Sequence, residues 1–532
     1  MKVCLINPPY DEKLVEGIEY YSFSQPIQNP GIASISAYLT KFGIENKVIE
    51  APINLLSVNE VIKIVMREKF DIIGISTYFF NFINVARLCQ KIKKIMPDSI
   101  IFLGGYFPTL RTKEVFSTIQ SVDICVIGEG EETVLELIQN ITESNNIKNV
   151  KGIAFRHNNE ILYTESRPII DNLDLLPQNE VSSIRNHLFG VTTKRGCYGN
   201  CSFCSVRYYS NVIKSKRIRR RSIINIVNEI DDLVNNYGVK FINFNDDNFL
   251  IGSKVDKERI RLFCELIKKR DIKFKFRIFA RSNDLIVYKE QLKDLIAIGL
   301  DVVFIGVESF VQRQLDMYNK LCTIEQNISA IKILNENNVK YSIGLIIFEP
   351  FTNLDEININ IKSLIELQYY KYAHTLCNLV SMSYNLLPIM DSPIYYTLVG
   401  NDLLKDNGLG FKFIDSKVEN FYNAKTIWTN SLKPITELFF VIEKANYFNE
   451  DRLYRELVKL KENLMLLDLQ FMLDLCKEAD FASYQNLMKF TQSRICLLDS
   501  YKEKFENAKE QLENLNKEQY IYNKDDSLYK SF

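Results

Sequence analysis

The sequence predicts an α/β protein with three parts: an N-terminal doubly wound, flavodoxin- or Rossmann-like parallel sheet, a partial (βα)6 barrel of the TIM type, and a helical C-terminal region. Short apolar runs alternate with amphipathic helical stretches over most of the chain, which is typical of parallel sheets covered by helices. After Trp428 this alternation stops and long helical patterns with many charges follow. We expect domains at residues 1–145, 191–430 and 431–532, with a hairpin and linker at 146–190.

Length and charge limit the class of protein. A chain of 532 residues is too long for one hydrophobic core, which favours several domains. Lys plus Arg and Asp plus Glu both number 66, so the formal net charge is zero and predicts no general affinity for nucleic acid. The apolar runs are too short for a membrane span, and the N-terminus reads as a strand rather than a signal peptide. We therefore expect a cytoplasmic protein with reduced thiols.

The first domain is predicted from alternating strands and helices. Its strands are expected at 3–7, 46–50, 72–76, 100–104 and 124–127, and its helices at 32–42, 58–68, 82–95 and 112–119. Such sheets bind ligands at the carboxyl ends of their strands, where glycines let the backbone approach a ligand closely. The candidate ligand-binding residues in these loops are Thr77, Tyr78, Gly104, Gly105, Thr109 and Glu129.

The linker and the barrel follow. Residues 152–156 and 161–164 predict a β-hairpin, and 165–189 an extended linker. Barrel strands are expected at 191–194, 241–245, 274–280, 302–307, 341–348 and 373–380, and helices at 222–236, 255–270, 290–298, 324–337 and 354–367. Catalytic residues of such barrels lie at the carboxyl ends of the strands.

Three cysteines directly follow the first predicted barrel strand. Cys197, Cys201 and Cys204 form the spacing C-x₃-C-x₂-C in a loop that also contains Gly196 and Gly199. A four-iron cluster normally takes four thiolates, so three in one loop leave one iron without a protein ligand. An open coordination site suits a reactive cofactor.

Three other interpretations of this loop remain. The cysteines could be ordinary small core residues, as the other eight are expected to be, because those are scattered through apolar stretches. A structural zinc site would need a fourth ligand, but no second cysteine pair exists, and His157, His187 and His374 lie outside the loop. Disulfides are disfavoured by the odd number of cysteines and the absence of a secretory signal.

The cysteine spacing, with Phe203 before the last cysteine, closely resembles the cluster loop of the radical S-adenosylmethionine (SAM) enzymes. The resemblance implies a [4Fe-4S] cluster on the three cysteines, with SAM at the open iron and in contact with Phe203. It also implies SAM contacts at later strand ends. There Asp246 and Asp247 would face the SAM ammonium, Arg281 the SAM carboxylate, and Glu308 of Gly306-Val307-Glu308-Ser309 would help to hold SAM. An exposed acidic turn and a structural ion pair of Glu308 are the alternatives.

The first domain resembles the cobalamin-binding domain that precedes the radical SAM domain in one large enzyme class. Pro30-Gly31, the loop from Gly104 to Thr109 and the turn Gly128-Glu129-Gly130-Glu131 carry this resemblance. The Asp-x-His-x-x-Gly motif is absent and no histidine precedes His157, so the resemblance implies cobalt bound without a protein histidine. The candidate loop residues named above would contact cobalamin. A domain that has lost its ligand and only packs against the barrel is the alternative.

These resemblances imply reductive cleavage of SAM to a 5′-deoxyadenosyl radical, for cobalamin-dependent methylation of an unactivated carbon. The alternatives are a radical SAM enzyme with a vestigial cobalamin domain that modifies a peptide or metabolite, and a non-catalytic iron–sulfur binding or maturation protein. The expected partners are a small-molecule or peptide substrate and an electron donor such as flavodoxin or ferredoxin.

Two further segments carry no cofactor motif. The basic run 217–221 is interpreted as a solvated face rather than a contact for an acidic substrate. The C-terminal helices, expected at 432–447, 451–476 and 480–514, could cap the barrel or shape the substrate site, and the charged end is expected to fray.

Overall fold

A computed structural model describes most of the chain. The described residues are 1–10, 28–143, 146–158, 160–179, 188–215, 218–376, 379–382, 385–390, 392–405, 410–446 and 452–519. His187, Cys377, Arg217 and residues 520–532, where fraying was expected, lie outside them. The chain divides into two compact units. The first unit comprises Met1–Glu308, Gln312–Gly344 and Leu386–Phe411, and the second comprises Ser309–Val311, Leu345–Asn385 and Lys412–Phe532.

The N-terminal sheet confirms most predicted strand bounds. Its parallel strands are β1 (Val3–Asn7), β2 (Asn46–Glu50), β3 (Ile72–Ser76), β4 (Ile100–Gly104) and β5 (Ile124–Val126). The predicted hairpin, β6 (Ile153–His157) and β7 (Glu160–Tyr163), adds antiparallel to β5, so the order is β2-β1-β3-β4-β5-β6-β7. The strand order reverses beside β1, which places the ends of β1 and β3 at the usual ligand-binding position of such a sheet.

Helices cover both faces of this sheet, as expected for a doubly wound fold. They are α1 (Pro30–Lys41), α2 (Ala51–Asn54), α3 (Val58–Glu68), α4 (Phe82–Ile95), α5 (Tyr106–Leu110), α6 (Thr112–Thr118) and α7 (Glu131–Glu143). One apolar core lies between the sheet and α3, α4 and α6, and another between the sheet and α1 and α7. Helix α7 was not predicted, although Val134, Leu137 and Ile138 give it a buried apolar face.

Glu50, at the end of β2, is expected to make the stability of the first unit depend on pH. It is buried and accepts hydrogen bonds from Asn7 Nδ2 at 2.7 Å and the Asn29 backbone N–H at 2.9 Å. Burial raises its pKa from 4.5 to about 6 in spite of these bonds. The folded state therefore binds this proton more tightly than the unfolded state. The contribution of Glu50 is greatest below the unfolded pKa and is lost as pH rises through the folded pKa.

We expect this loss to amount to on the order of 2 kcal/mol in the free energy of unfolding. Urea denaturation at pH values below and above this range measures it. The variant Glu50→Gln carries no titrating proton, so its stability is expected to lack this fall. An identical pH dependence in the variant and the wild type would show that Glu50 titrates normally.

The second sheet belongs to the predicted barrel. Its strands and a separate two-stranded ribbon are β8 (Leu188–Val191), β9 (Lys194–Arg195), β10 (Arg219–Arg220), β11 (Phe241–Phe244), β12 (Lys275–Arg281), β13 (Leu300–Glu308) and β14 (Lys340–Leu345). The described sheet has the order β14-β13-β12-β11-β8, with β8, β11, β12 and β13 pairing in parallel, and β9 pairs only with β10. The first barrel strand therefore ends at Val191, three residues earlier than predicted.

The predicted sixth strand at 373–380 is wrong. The described residues of this range form no strand, and a 3-10 turn begins at Val380. Ala373, Leu376 and Leu379 are nevertheless fully buried. The continuous apolar run in the sequence reflects this burial. A short apolar run does not distinguish a buried strand from buried irregular chain.

Helices complete both units. Those between the barrel strands and beyond are α8 (Ser205–Val212), α9 (Ile223–Asn235), α10 (Lys254–Lys269), α11 (Ser282–Val287), α12 (Leu292–Ala297), α13 (Gln312–Met317), α14 (Ile324–Glu336), α15 (Leu354–Glu366), α16 (Tyr369–Tyr372) and α17 (Pro393–Gly400). The C-terminal helices, longer than predicted, are α18 (Ser416–Asn446), α19 (Arg452–Phe481) and α20 (Tyr484–Gln519). No helix among the described residues has the length and apolar character needed to cross a bilayer.

A buried carboxylate joins two of the long helices in the second unit. Asp468 on α19 accepts hydrogen bonds from Trp428 Nε1 on α18 at 2.9 Å and from the Ser381 backbone N–H at 3.0 Å. The Trp428 ring also stacks on Phe471, with centroids 4.0 Å apart. These contacts give the C-terminal region a packed core of its own.

Candidate active site and cofactor cavity

The three-cysteine loop lies between β9 and α8, just beyond the carboxyl end of β8. Cys201 is buried, whereas Cys197 and Cys204 are half-buried. Ser202 fixes the loop, because its backbone N–H donates to Tyr318 O and its Oγ to Met317 O, both at 2.8 Å. The loop is thus held against the turn that follows α13 in the same unit.

Burial and one backbone contact act in opposite directions on the thiols of the loop. Burial raises the pKa of Cys197 and, to about 12, that of Cys204. The thiols of Cys197 and Cys204 therefore hold their protons more tightly than free cysteine, and binding of a metal would release these protons. The Gly199 backbone N–H already donates to Cys197 Sγ at 3.3 Å, a contact that favours the thiolate.

The site differs from one for a single ion. Among the described residues, no three His, Cys, Asp or Glu side chains are placed to hold one metal ion. A cubane cluster does not need such convergence, since each cysteine binds a separate iron. Of the other cysteines in the described chain, Cys496 is exposed, contrary to expectation, and the rest are buried.

Arg281, at the end of β12, contacts the cysteine loop directly. Its Nη1 donates to Cys201 Sγ at 3.3 Å, its Nη2 donates to Lys320 O, and its guanidinium lies 5.3 Å from the centroid of the Tyr198 ring. The side chain is buried. The sequence placed this residue near the SAM carboxylate, whereas the structure places it against a cysteine thiol.

The two adjacent carboxyl groups after β11 have different surroundings. Asp246 is buried and accepts hydrogen bonds from the backbone N–H groups of Thr193 at 2.7 Å and Lys194 at 3.2 Å, and from Thr193 Oγ1. Asp247 instead lines a cavity, where its side chain is accessible to solvent although protein surrounds it. Desolvation by the protein around the cavity, followed by the charge of Asp246, raises the pKa of Asp247 to about 6.

The remaining predicted SAM contacts have partners within the protein. Glu308 Oε1 lies 2.6 Å from Lys320 Nζ in a buried ion pair, which is the structural alternative considered for this residue. Glu308 also adopts a positive φ of 65°, a strained conformation for a residue with a side chain. The Phe203 ring packs edge-on against Tyr318, with centroids 5.7 Å apart.

A cavity of about 290 Å³ connects the two parts of the first unit. Its wall includes Gly104, Gly105 and Tyr78 from the N-terminal sheet, and Gly196 and Asp247 from beside the cysteine loop. Gly105 has a φ of 108°, and a Cβ there would lie 2.9 Å from Thr77 O. The sequence predicted a glycine here so that the backbone could approach a ligand. In the structure, the backbone conformation and the contact with Thr77 already require a glycine at position 105.

Two of the predicted loop residues do not line this cavity. Thr77 is buried beneath it and pairs with Gly104 O through its backbone N–H at 2.8 Å. Thr109 Oγ1 accepts from the Gly128 backbone N–H at 3.0 Å and lines a second cavity of about 1020 Å³. The two cavities share Gly128, Glu129 and Ile213 in their walls.

Glu129 is a candidate ligand contact that the structure places in a buried ion-pair network. Its carboxylate lies 2.8 Å from Arg195 Nη1 and 2.7 Å from Arg219 Nη2, and Arg195 also pairs with Glu131 at 2.5 Å. Burial opposes ionisation of Glu129, but Arg219 and Arg195 outweigh it and lower its pKa to about 2. The network joins the β5–α7 turn to the ribbon that precedes Cys197.

The interpretation of the basic run as a solvated face is wrong for its described residues. Arg219 is buried on Glu129, Arg220 pairs with Asp256 at 2.7 Å, and Arg221 pairs with Glu229 at 2.5 Å. Asp256 and Glu229 are buried, and the three carboxylate partners lie 90, 36 and 8 residues away in sequence from the arginines that they pair with. Ion pairing thus offsets the desolvation of each guanidinium.

Sequence reasoning missed a second group that supports the loop. Asp284 accepts from Tyr198 Oη at 2.6 Å, from Asn248 Nδ2 at 2.7 Å and from the Gly252 backbone N–H at 2.9 Å. It therefore ties the cysteine loop to the ends of β11 and β12. In the sequence, only its position three residues after Arg281 links Asp284 to the site. A single aspartate in the first turn of a helix does not predict contacts of this kind.

Known proteins share both parts of this arrangement. A family model of the radical SAM superfamily matches residues 191–362, and a model of the B12 binding domain matches residues 22–138. An uncharacterized methyltransferase of Pyrococcus horikoshii is 26% identical over 374 residues, covering 68% of this chain and 77% of the relative. The anaerobic magnesium-protoporphyrin IX monomethyl ester cyclase of Rubrivivax gelatinosus is 29% identical over 353 residues, covering 64% of this chain and 61% of the relative.

A solved structure supports the fold over nearly the whole chain. The cobalamin-dependent S-adenosylmethionine radical enzyme OxsB, with aqua-cobalamin and S-adenosylmethionine bound, aligns with a TM-score of 0.76 and 20% identity, covering 95% of this chain and 80% of that one. The likeness includes the N-terminal sheet, the second parallel sheet and the helical C-terminal region. The chain therefore belongs to the radical SAM superfamily of enzymes, in the group whose radical SAM domain follows a B12-binding domain.

Proposed function

We propose that this chain reductively cleaves SAM and uses cobalamin to methylate an unactivated carbon of its substrate. The cavity that carries the proposal is lined both by Gly104 and Gly105 of the N-terminal sheet and by Gly196 and Asp247 beside the cysteines. When bound, the cluster supplies the electron that splits SAM into methionine and a 5′-deoxyadenosyl radical, and cobalamin supplies the methyl group. An electron donor of the flavodoxin or ferredoxin class and a small-molecule or peptide substrate complete the proposal.

The protein's own residues bind and orient these groups. Cys197, Cys201 and Cys204 would each hold one iron. We assign the SAM ammonium to Asp247 rather than Asp246, because Asp246 already accepts three hydrogen bonds from the protein and Asp247 faces the cavity. A carboxylate in a partly desolvated cavity binds an ammonium more strongly than one in bulk water.

SAM binding is expected to depend on pH through Asp247. Only the ionised carboxylate attracts the ammonium, so affinity should be full above a pH of about 6 and fall as pH decreases through that value. Asp247→Asn should weaken SAM binding roughly ten- to hundredfold at neutral pH, the cost of one charge-assisted hydrogen bond. It should also remove the fall at low pH. Isothermal titration of SAM into cluster-loaded protein measures both, and equal affinities for the variant and wild type would reassign the ammonium contact.

Cobalamin binding is tested separately. Among the described residues that line the cavity there is no histidine, so cobalt would be bound without a protein imidazole. Cobalamin is larger than this cavity, and the proposal therefore implies that lining side chains such as those of Tyr78 and Tyr106 move on binding. Protein produced with cobalamin should retain a corrinoid spectrum and about one cobalt per chain. A cobalt-free protein that still cleaves SAM would leave a radical SAM enzyme with a vestigial first domain.

Ring formation without methyl transfer is a second candidate, since the Rubrivivax gelatinosus relative is a cyclase. The two reactions leave different products from SAM. Transfer of the SAM methyl group leaves S-adenosylhomocysteine, whereas radical formation leaves methionine and 5′-deoxyadenosine. Both products together, during turnover of a substrate, support methylation. Formation of 5′-deoxyadenosine without S-adenosylhomocysteine favours cyclisation or rearrangement.

A further inference from the structure

Arg281 occupies an unusual position for a residue expected to bind a substrate carboxylate. Each of its terminal nitrogens donates one hydrogen bond within the protein, Nη1 to Cys201 Sγ at 3.3 Å and Nη2 to the carbonyl oxygen of Lys320. The side chain is buried, and the Tyr198 ring lies 5.3 Å from the centre of its guanidinium. The guanidinium is thus held against one cysteine by contacts on several sides.

The backbone of the cysteine loop passes close to the guanidinium of Arg281 at Gly199. A Cβ placed on Gly199 would lie 2.6 Å from Arg281 Nη1 and 3.4 Å from Cys197 Sγ. Any side chain at position 199 would therefore displace the guanidinium. The glycine in the cysteine motif allows the close approach of Arg281, in addition to bending the chain.

We propose that Arg281 sets the reduction potential of the iron–sulfur cluster by donating an N–H···S hydrogen bond to the Cys201 thiolate. This inference rests on the proposed function, which places a cluster on Cys201. Reduction transfers one electron from an external low-potential donor to the cluster, no covalent bond forms or breaks, and the guanidinium keeps its protons. The added negative charge is spread over the cluster and its thiolates, so a buried cation and N–H donor stabilise the reduced state more than the oxidised state.

The effect on the potential has a definite sign. Arg281→Gln removes the charge and should lower the midpoint potential, so that the ratio of reduced to oxidised cluster at a fixed poise falls about tenfold, which equals about 59 mV for a one-electron couple. Arg281→Lys keeps the charge but loses the planar fork, so its shift should be smaller. Gly199→Ala keeps the arginine but displaces it, and should shift the potential in the same direction as Arg281→Gln.

The test is a redox titration of cluster-loaded protein without SAM, followed by electron paramagnetic resonance. Iron and sulfide content normalise each sample, so a variant that loads less cluster still reports a potential. Arg277→Gln is the matched control, because Arg277 lies on the same strand and donates to Asn243 Oδ1 at 2.6 Å. It should leave the potential unchanged.

The outcomes separate this inference from its premise. A lower potential in Arg281→Gln and Gly199→Ala, with Arg277→Gln unchanged, supports the inference. If Arg281→Gln and Gly199→Ala bind a cluster with the wild-type potential, the inference is overturned. This holds also if these variants bind SAM more weakly. A wild-type protein that binds no cluster would instead contradict the proposed function.

Discussion

Replacing Cys201 with alanine is expected to abolish cluster binding and SAM cleavage. Cys201 is the buried member of the three cysteines, and its thiol also receives the Arg281 hydrogen bond. With one of three thiolates lost, two of the four irons would have no protein ligand. We therefore expect the cluster not to be retained, and iron and sulfide per chain should fall to background. Metal analysis and the visible absorption of anaerobically reconstituted protein measure the loss.

A cysteine outside the loop provides the control. Cys264 is also buried, but it is remote from the loop in sequence and lies in the middle of helix α10. Cys264→Ala should keep full iron content, with a stability loss of roughly 1–2 kcal/mol from the lost side-chain volume. If Cys201→Ala kept its iron and colour, the assignment of the three cysteines would be wrong.

Removing the Glu129 carboxylate is expected to destabilise the first unit strongly. Glu129→Ala leaves Arg219, which is 6% exposed, without its carboxylate, and weakens the pairing of Arg195. Breaking a buried pair by removing one partner costs about 3–5 kcal/mol, because a buried charge remains uncompensated. The apparent Tm of the first unit should fall by roughly 5 °C, measured by calorimetry. Glu160→Ala, an exposed glutamate on β7, should change it little.

A double variant distinguishes loss of the ion pair from general damage. Replacing both partners with apolar residues, Glu129→Leu with Arg219→Met, removes the unpaired charge and should recover part of the stability. Non-additivity of the two substitutions is therefore expected. Additive losses would show that Glu129 and Arg219 do not act as a pair.

Local patterns were enough to predict the N-terminal sheet. The first four strands and helices α3 and α4 begin and end where the apolar periodicity predicted, because each is a short regular element with one buried face. The three cysteines were also predicted as cluster ligands from their spacing, since chemistry rather than packing sets that spacing, and this assignment stays a prediction. The structure places them beside Asp247 and Arg281, at the ends of successive strands.

Longer-range contacts could not be predicted in this way. The run 373–380 reads as a strand, yet its buried residues lie in irregular chain. The partners of Arg219, Arg281 and Glu308 are set by tertiary packing, and a sequence shows only that each is charged. The same limit applies to Thr77, whose place after a strand suggested a ligand contact but whose side chain is buried beneath the cavity.

Formation of 5′-deoxyadenosine tests the central claim most directly. Wild-type protein reconstituted under nitrogen with iron and sulfide is incubated with SAM and dithionite, and the nucleoside is quantified by mass spectrometry. We expect 5′-deoxyadenosine to form with the wild type and not with Cys201→Ala. A wild-type protein that carries a full cluster but forms no 5′-deoxyadenosine, with or without cobalamin, would identify a binding or maturation protein and contradict the proposed enzyme.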